Sequence, residues 1–257
     1  HDDNIGLSGF TASGSPKVVT SALAEKAIKE HEAGREFKVN IFTGASTNRW
    51  ADGALANANA INRRTPYQNT PDLRKRINAH DCHYFDLHLS ELAQKVRYGS
   101  FGDIDVAIIE VADVMDNGEI VLGTGVGNVP TYVKLAKKII LELNTKLPKG
   151  IYGFHDIYLP LDPPNRREIP IYKPSDRIGS PIVKVDPAKI VGVVHSDSYD
   201  GIKGFTELDD VTLQIGANVC NFLIGELRAG RLPKTFLPIQ SGVGNVANAV
   251  LFGLAEA

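Results

Sequence analysis

Cysteine is scarce. Cys82 and Cys220 are the only two in 257 residues, too few and too far apart for a disulfide framework, so a reducing, cytoplasmic setting is the expectation. Long apolar runs are missing as well: nothing approaches the ~20 residues that a membrane-spanning helix needs. Charge of one sign is also lacking, with 28 Lys+Arg against 30 Asp+Glu and a formal net charge of -2. The densest basic run, Arg74-Lys75-Arg76, is three residues long, which reads as a solvated helix face and gives no footing for nucleic acid. No G-x-S-x-G elbow occurs, and neither Ser8-Gly9 nor Ser46-Thr47 has an evident partnered base, which argues against a serine hydrolase. His80, His83 and His88 surround Asp81, Cys82 and Asp86, but their spacing fits neither H-E-x-x-H nor a paired C-x-x-C site. Surface and hydrogen-bonded histidines are expected there, and no metal.

What is present is an ordinary globular composition, 43% hydrophobic and 23% charged, on a length that suits one large domain or one domain plus part of another. Glycine and proline divide the chain into alternating strands and helices. Strands are expected at residues 4–10, 37–42, 104–110, 119–122, 138–143, 182–185 and 190–194. Ala22, Leu23, Ala27 and Ile28 mark a helical stripe ended by Gly34, residues 73–77 a further helical stretch, and 208–227 the longest helix, apolar at Val211, Ile215, Val219 and Phe222. Seven of the 14 prolines fall between Lys146 and Pro181, an excursion outside the core. The alternation predicts an α/β fold with a largely parallel sheet. The chain opens on His1 and closes in a helical run at 245–254, so sequence missing at both ends is expected.

Two glycine clusters follow apolar runs. Gly242, Gly244 and Ala247 satisfy G-x-G-x-x-A after residues 236–240, read as a strand, and before the final helix. Glycines let a backbone approach an anion, and the free N–H groups of a helix start favour negative charge. Phosphate binding and a merely tight strand–helix turn both remain open at this point. Gly123-Thr124-Gly125-Val126-Gly127-Asn128 has Asn128 in the third glycine's place and reads as a structural turn, and the Gly9 to Gly14 loop follows the same logic. Glu110 ends an apolar run, where a carboxylate bonded to loop amides is a better reading than a catalytic one.

Ordered matches along the chain resemble the acetyl-CoA hydrolase/transferase family of class I CoA-transferases, close to its succinyl-CoA:acetate members. They are Ser8-Gly9-Phe10-Thr11 with Gly14 and Pro16-Lys17, Thr43-Gly44-Ala45-Ser46-Thr47, Asp52-Gly53 with Leu55-Ala56, Arg76-Ile77-Asn78 and Tyr84-Phe85-Asp86. Gly127-Asn128, His155-Asp156-Ile157, Leu237-Pro238 and the stretch from Gln240 to Val250 complete them. The resemblance implies two CoA-transferase-type α/β domains with the active site between them. Residues 1–207 would be the N-terminal domain with the Pro-rich excursion at 146–181, and 208–257 a linker helix and the opening strand and helix of the C-terminal domain.

In the family a glutamate attacks the acyl-CoA carbonyl and passes through an acyl-glutamyl anhydride to a glutamyl-CoA thioester. That glutamate would lie beyond Ala257, since Glu256 in its Ala-Glu-Ala setting does not match the motif. By the same resemblance Val243 supplies a backbone N–H to the oxyanion, Gly242, Val243, Gly244, Asn245 and Val246 contact CoA, and Ser46 and Asn69 contact the acyl or carboxylate group. Gly201 falls where a related member has an arginine, which speaks against a dicarboxylate such as succinate. The first expectation is therefore a cytoplasmic, homodimeric CoA-transferase or acyl-CoA hydrolase, with CoA as substrate. An NAD(P)-dependent oxidoreductase built on the Gly242–Ala247 turn comes second, and a non-catalytic CoA-binding domain third.

Overall fold

In the computed structural model, residues 1–45, 48–201, 204, 206–237 and 239–256 are described. The chain forms two compact units, His1–Ile202 and Lys203–Ala257.

In the first unit the elements run β1 (Asn4–Leu7), α1 (Val18–Glu32), β2 (Val39–Phe42), a π turn (Arg49–Gly53) continuing into α2 (Ala54–Asn57), and β3 (Ile61–Thr65). Then come α3 (Pro71–Asn78), β4 (His83–Tyr84), α4 (Leu89–Arg97), β5 (Val106–Val114), β6 (Glu119–Leu122), α5 (Val129–Leu135), β7 (Lys138–Asn144), β8 (Val183–Lys184) and β9 (Ile190–Ser196). Among the described residues these nine strands make one sheet. Seven run parallel in the order β4-β3-β2-β1-β5-β7-β9. Where β5 outruns β1 it turns to antiparallel pairing with β6, which pairs in turn with β8. Right-handed crossovers are the rule for such parallel neighbours, so helices cover both faces.

Alternation along β5 shows the layering. Ala107, Ile109 and Val111 join a core with Leu92, Val96, Tyr132 and Val133 of α4 and α5. Ile108 faces the other way, into a core with Ala24, Ala27, Leu55 and Leu73 from the α1–α3 side. A strand buried on both faces has no solvent side for a charge, so the glutamates within β5 and β7 require partners. Arg76 departs from the solvated face expected of its basic run: its Nε donates to the Ala56 carbonyl at 3.0 Å and its Nη1 to Asp81 at 3.2 Å. The Pro-rich excursion closes on itself at the isolated bridge Ile157↔Ser180, held by the Asp156 carboxylate, which accepts from the N–H groups of Ile178 and Gly179.

Two expected helical stripes are only partly met. In α1, Ala27 is buried and Leu23 packs against the core as expected, but Ala22 and Ile28 are exposed and Thr20 and Ala24 are buried in their place. In the second unit α6 (Asp210–Arg228) buries Thr212, Gly216 and Cys220 and leaves Val211, Ile215 and Phe222 exposed. The reason is close helix packing against α7 (Asn245–Glu256): a Cβ on Gly216 would lie 2.8 Å from Ala249, and one on Gly253 would lie 2.7 Å from Cys220 Sγ. Small side chains set that interface, and a count of large apolar residues overlooks them. The strand expected at 236–240 is not formed at Phe236, Leu237, Ile239 or Gln240, because a strand needs a neighbour to take its backbone hydrogen bonds and none of the described strands pairs there.

Candidate functional site

The carboxyl end of a parallel sheet is where open α/β folds place their ligands. In the first unit that end gathers a buried ionic cluster. Glu110 of β5 and Glu142 of β7 are register partners, side by side on the α1 face. The Glu142 carboxylate accepts from the first amides of α1, Lys17 N–H at 2.8 Å, Val18 at 3.1 Å and Val19 at 3.0 Å. Helix α1 has no acidic residue in its own first turn and no side-chain cap, so a carboxylate from the sheet satisfies the positive end of its dipole. That compensation allows a lysine at the helix start, where a cation is otherwise disfavoured. Buried Lys17 directs its ammonium to the Glu110 carboxylate, to Asp200 at 3.1 Å and to the Ser15 carbonyl at 3.1 Å.

Glu110 thus has other partners than the loop amides expected of it: Lys17, and Asn144 Nδ2 at 3.1 Å. Its Oε1 is buried without a hydrogen-bond partner. Burial pushes its carboxyl up to about 7, reinforced by the Asp200 charge and opposed by Lys17 and Asn144. Ser8 is also accounted for structurally, donating to the Gly14 carbonyl at 2.7 Å and accepting from the Glu110 N–H at 2.8 Å. The sequence alone gives no role to Glu142, Asn144 or Asp200, and marks Lys17 only as part of a family match. The available signal was a charged or amide residue inside an apolar strand run, Ile109-Glu110-Val111 and Leu141-Glu142-Leu143-Asn144, which must be paired.

Two of the residues expected to contact the acyl or carboxylate group belong to this unit. Ser46 lies outside the described residues. Asn69 is exposed, just before α3. Three buried polar atoms without partners stand beside them in sequence: Asn48 Nδ2 near Ser46, and Gln68 Oε1 and Thr70 Oγ1 flanking Asn69. Buried polar atoms are otherwise nearly always paired. The cysteines offer no reactive thiol here, since Cys82 is pushed up to about 11 by burial and both cysteines are free and buried.

The second unit carries the remaining expected residues. Gly242, Val243, Gly244, Asn245 and Val246 are all exposed at the start of α7, and nothing lies within 4 Å of a Cβ built on Gly242 or Gly244. Gly244 has φ +129°, a conformation that side-chain-bearing residues rarely adopt, and its carbonyl accepts the Asn248 N–H at 3.1 Å, opening the helix. With no side chain on Gly244 to cap it and no acid in its first turn, α7 presents an amide-rich positive end. Such a turn can receive a phosphate or the oxyanion of a thioester carbonyl.

Known proteins match this chain along its whole length. The model of the acetyl-CoA hydrolase/transferase N-terminal domain matches residues 1–195. The propanoyl-CoA:succinate CoA transferase of Escherichia coli is 43% identical over 256 residues, covering 100% of this chain and 52% of its own length. The succinyl-CoA:acetate CoA-transferase of Clostridium kluyveri is 44% identical over 252 residues, covering 98% and 46%, and the acetyl-CoA hydrolase of Yarrowia lipolytica 39% over 260 residues, covering 98% and 49%. The chain spans about half the length of these curated relatives. Among solved structures, RipA from Yersinia pestis matches in fold with a TM-score of 0.62 at 14% identity, over 98% of this chain and 50% of that one. The 4-hydroxybutyrate CoA-transferase from Porphyromonas gingivalis matches with 0.53 at 15%, over 99% and 47%. None of these relatives supports a nicotinamide-dinucleotide reading of the Gly242–Ala247 turn, which is set aside. The chain belongs to the acetyl-CoA hydrolase/transferase family.

Proposed function

We propose that the protein carrying this chain moves CoA between an acyl-CoA of the acetyl or succinyl type and a small carboxylic acid, or passes the acyl group to water. Whole-chain identity to CoA-transferases and acetyl-CoA hydrolases carries the reading, and the bare turn at the start of α7 fits it. Residues 1–207 are read as the N-terminal CoA-transferase domain and 208–257 as the linker helix and opening of the next. The nucleophile is a glutamate outside this chain. Its carboxylate adds to the thioester carbonyl and expels CoA thiolate, leaving an acyl-glutamyl anhydride. The thiolate then attacks the glutamyl carbonyl, releasing the acyl group as carboxylate and leaving a glutamyl-CoA thioester for the acceptor acid or water to open. Val243 N–H serves the oxyanion, and losing such a donor costs ~3 kcal/mol in the barrier. Gly242, Gly244, Asn245 and Val246 contact CoA, while Ser46 and Asn69 hold the carboxylate; their chain neighbours Asn48, Gln68 and Thr70 carry buried polar atoms without partners. The protein is read as cytoplasmic and homodimeric.

Incubating the full-length protein with acetyl-CoA or succinyl-CoA, without acceptor, should leave a covalent CoA adduct on one glutamate, seen by intact mass and peptide mapping. No adduct, no acyl exchange and thermal stabilisation by NAD in place of CoA would refute the assignment. Ser46→Ala should lower kcat/KM for the acceptor acid by a factor corresponding to ~1.5–3 kcal/mol and leave CoA binding nearly unchanged. An unaltered acceptor constant would remove Ser46 from the site.

A further inference from the structure

The loop after β2 is held on both sides of Ser46. Before it, the Thr43 carbonyl accepts from Tyr132 OH at 2.7 Å and Asn128 Nδ2 at 3.1 Å, and the Ala45 carbonyl accepts from Thr11 N–H at 3.0 Å. After it, alternate residues are fixed. Asn48 Oδ1 accepts the Ala51 N–H at 2.8 Å, and the buried Asp52 carboxylate receives Arg64 Nε at 2.8 Å and Nη2 at 3.2 Å. Trp50 stands between these two anchors, and what it meets is a glycine. A Cβ on Gly201 would lie 2.8 Å from Trp50 Cζ3 and 3.1 Å from Cη2.

Gly201 does not have a positive φ, so backbone conformation does not require glycine there. Room for the indole does. Gly201 is itself held through its neighbour, because the Asp200 carboxylate receives donors from Gly14 N–H at 3.1 Å, Lys17 Nζ at 3.1 Å and Thr124 Oγ1 at 3.3 Å. Two cations complete the clamp: Lys17 Nζ lies 5.7 Å, and the Arg49 guanidinium carbon 4.7 Å, from the indole centroid.

We propose that Trp50 is a positioning residue for the acceptor-acid step, clamped by Lys17, Arg49 and Gly201 so that residues 48–53, which follow Ser46 closely in the chain, hold one arrangement. The proposal rests on the transferase reading of Ser46. It differs from a purely structural role in what it touches: the half-reaction with the carboxylic acid, not the one with acyl-CoA.

The test uses full-length protein and three variants, Gly201→Ala, Trp50→Phe and the pair together. Gly201→Ala should lower kcat/KM for the acceptor acid at least tenfold while KM for acyl-CoA stays within twofold. Cζ3 and Cη2 are the far atoms of the indole, which phenylalanine lacks, so the double variant should be no worse than Trp50→Phe alone. An unchanged acceptor constant in Gly201→Ala, or losses that multiply in the double variant, would overturn the proposal. If Gly201→Ala does not fold, Trp50→Phe decides it: a loss confined to the acceptor supports the clamp, and no loss refutes it. Trp50 is the only tryptophan in this chain. The emission difference between wild type and Trp50→Phe therefore isolates it, and titration with acetate, propionate or succinate should change that difference saturably. This arm reads even if wild type shows no CoA transfer, which would sink the functional reading separately, and an unresponsive Trp50 with all three acids would sink the clamp.

Discussion

Two glycine clusters share a pattern and live in opposite surroundings. In Gly123 to Asn128 the glycines make room for the chain itself. A Cβ on Gly125 would lie 2.9 Å from Phe10 N, and one on Gly127, at φ +51°, would lie 2.5 Å from the Gly9 carbonyl oxygen. In Ser241 to Asn245 a Cβ on either glycine would meet nothing. The first cluster is a packing joint between two loops at the end of the sheet, and the second leaves its backbone open to a visitor. Spacing alone does not separate these cases, because it records where side chains are missing and not what uses the space.

The sharpest way to break that comparison is Gly127→Ala, which combines a left-handed conformation with a backbone collision and should cost ~3 kcal/mol of stability, read by denaturant unfolding. A loss below ~0.5 kcal/mol would erase the contrast. A comparable ceiling applies to the ionic cluster beneath the joint. The folded state holds the Glu110 proton up to about 7, against an ordinary 4.5. Stability from this group is therefore complete below pH 4.5 and declines as pH rises through about 7, by up to ~3 kcal/mol. Glu110→Gln should flatten that part of the stability–pH curve, measured by unfolding at several pH values, whereas an unaltered slope would mean that Glu110 is ionised throughout.

The parallel sheet was readable from apolar runs at 104–110 and 138–143, whose double-sided burial leaves a continuous apolar signature. Helix phase was less readable. Gly216 and Cys220 line the α6–α7 contact because small residues admit a close backbone approach, and hydrophobicity does not mark them. The ionic cluster was the hardest part to see. Lys17 and Asp200 are 183 positions apart and meet through the adjacency of β5 and β7 and the loop after β9. The turn at Gly242 was visible locally, since its glycine spacing lies within one strip of backbone, but whether it faced packing or open space required the fold.

The most direct measurement on the open cluster is Gly244→Val in the full-length protein, with circular dichroism melting recorded beside CoA-dependent turnover. The turn is exposed and outside the buried cores, so the strain of a valine at φ +129° can relax locally and should cost only a few degrees of melting, while turnover is abolished if the new side chain stands where this assignment has CoA approach. A folded variant with normal turnover would contradict the assignment of this turn to CoA.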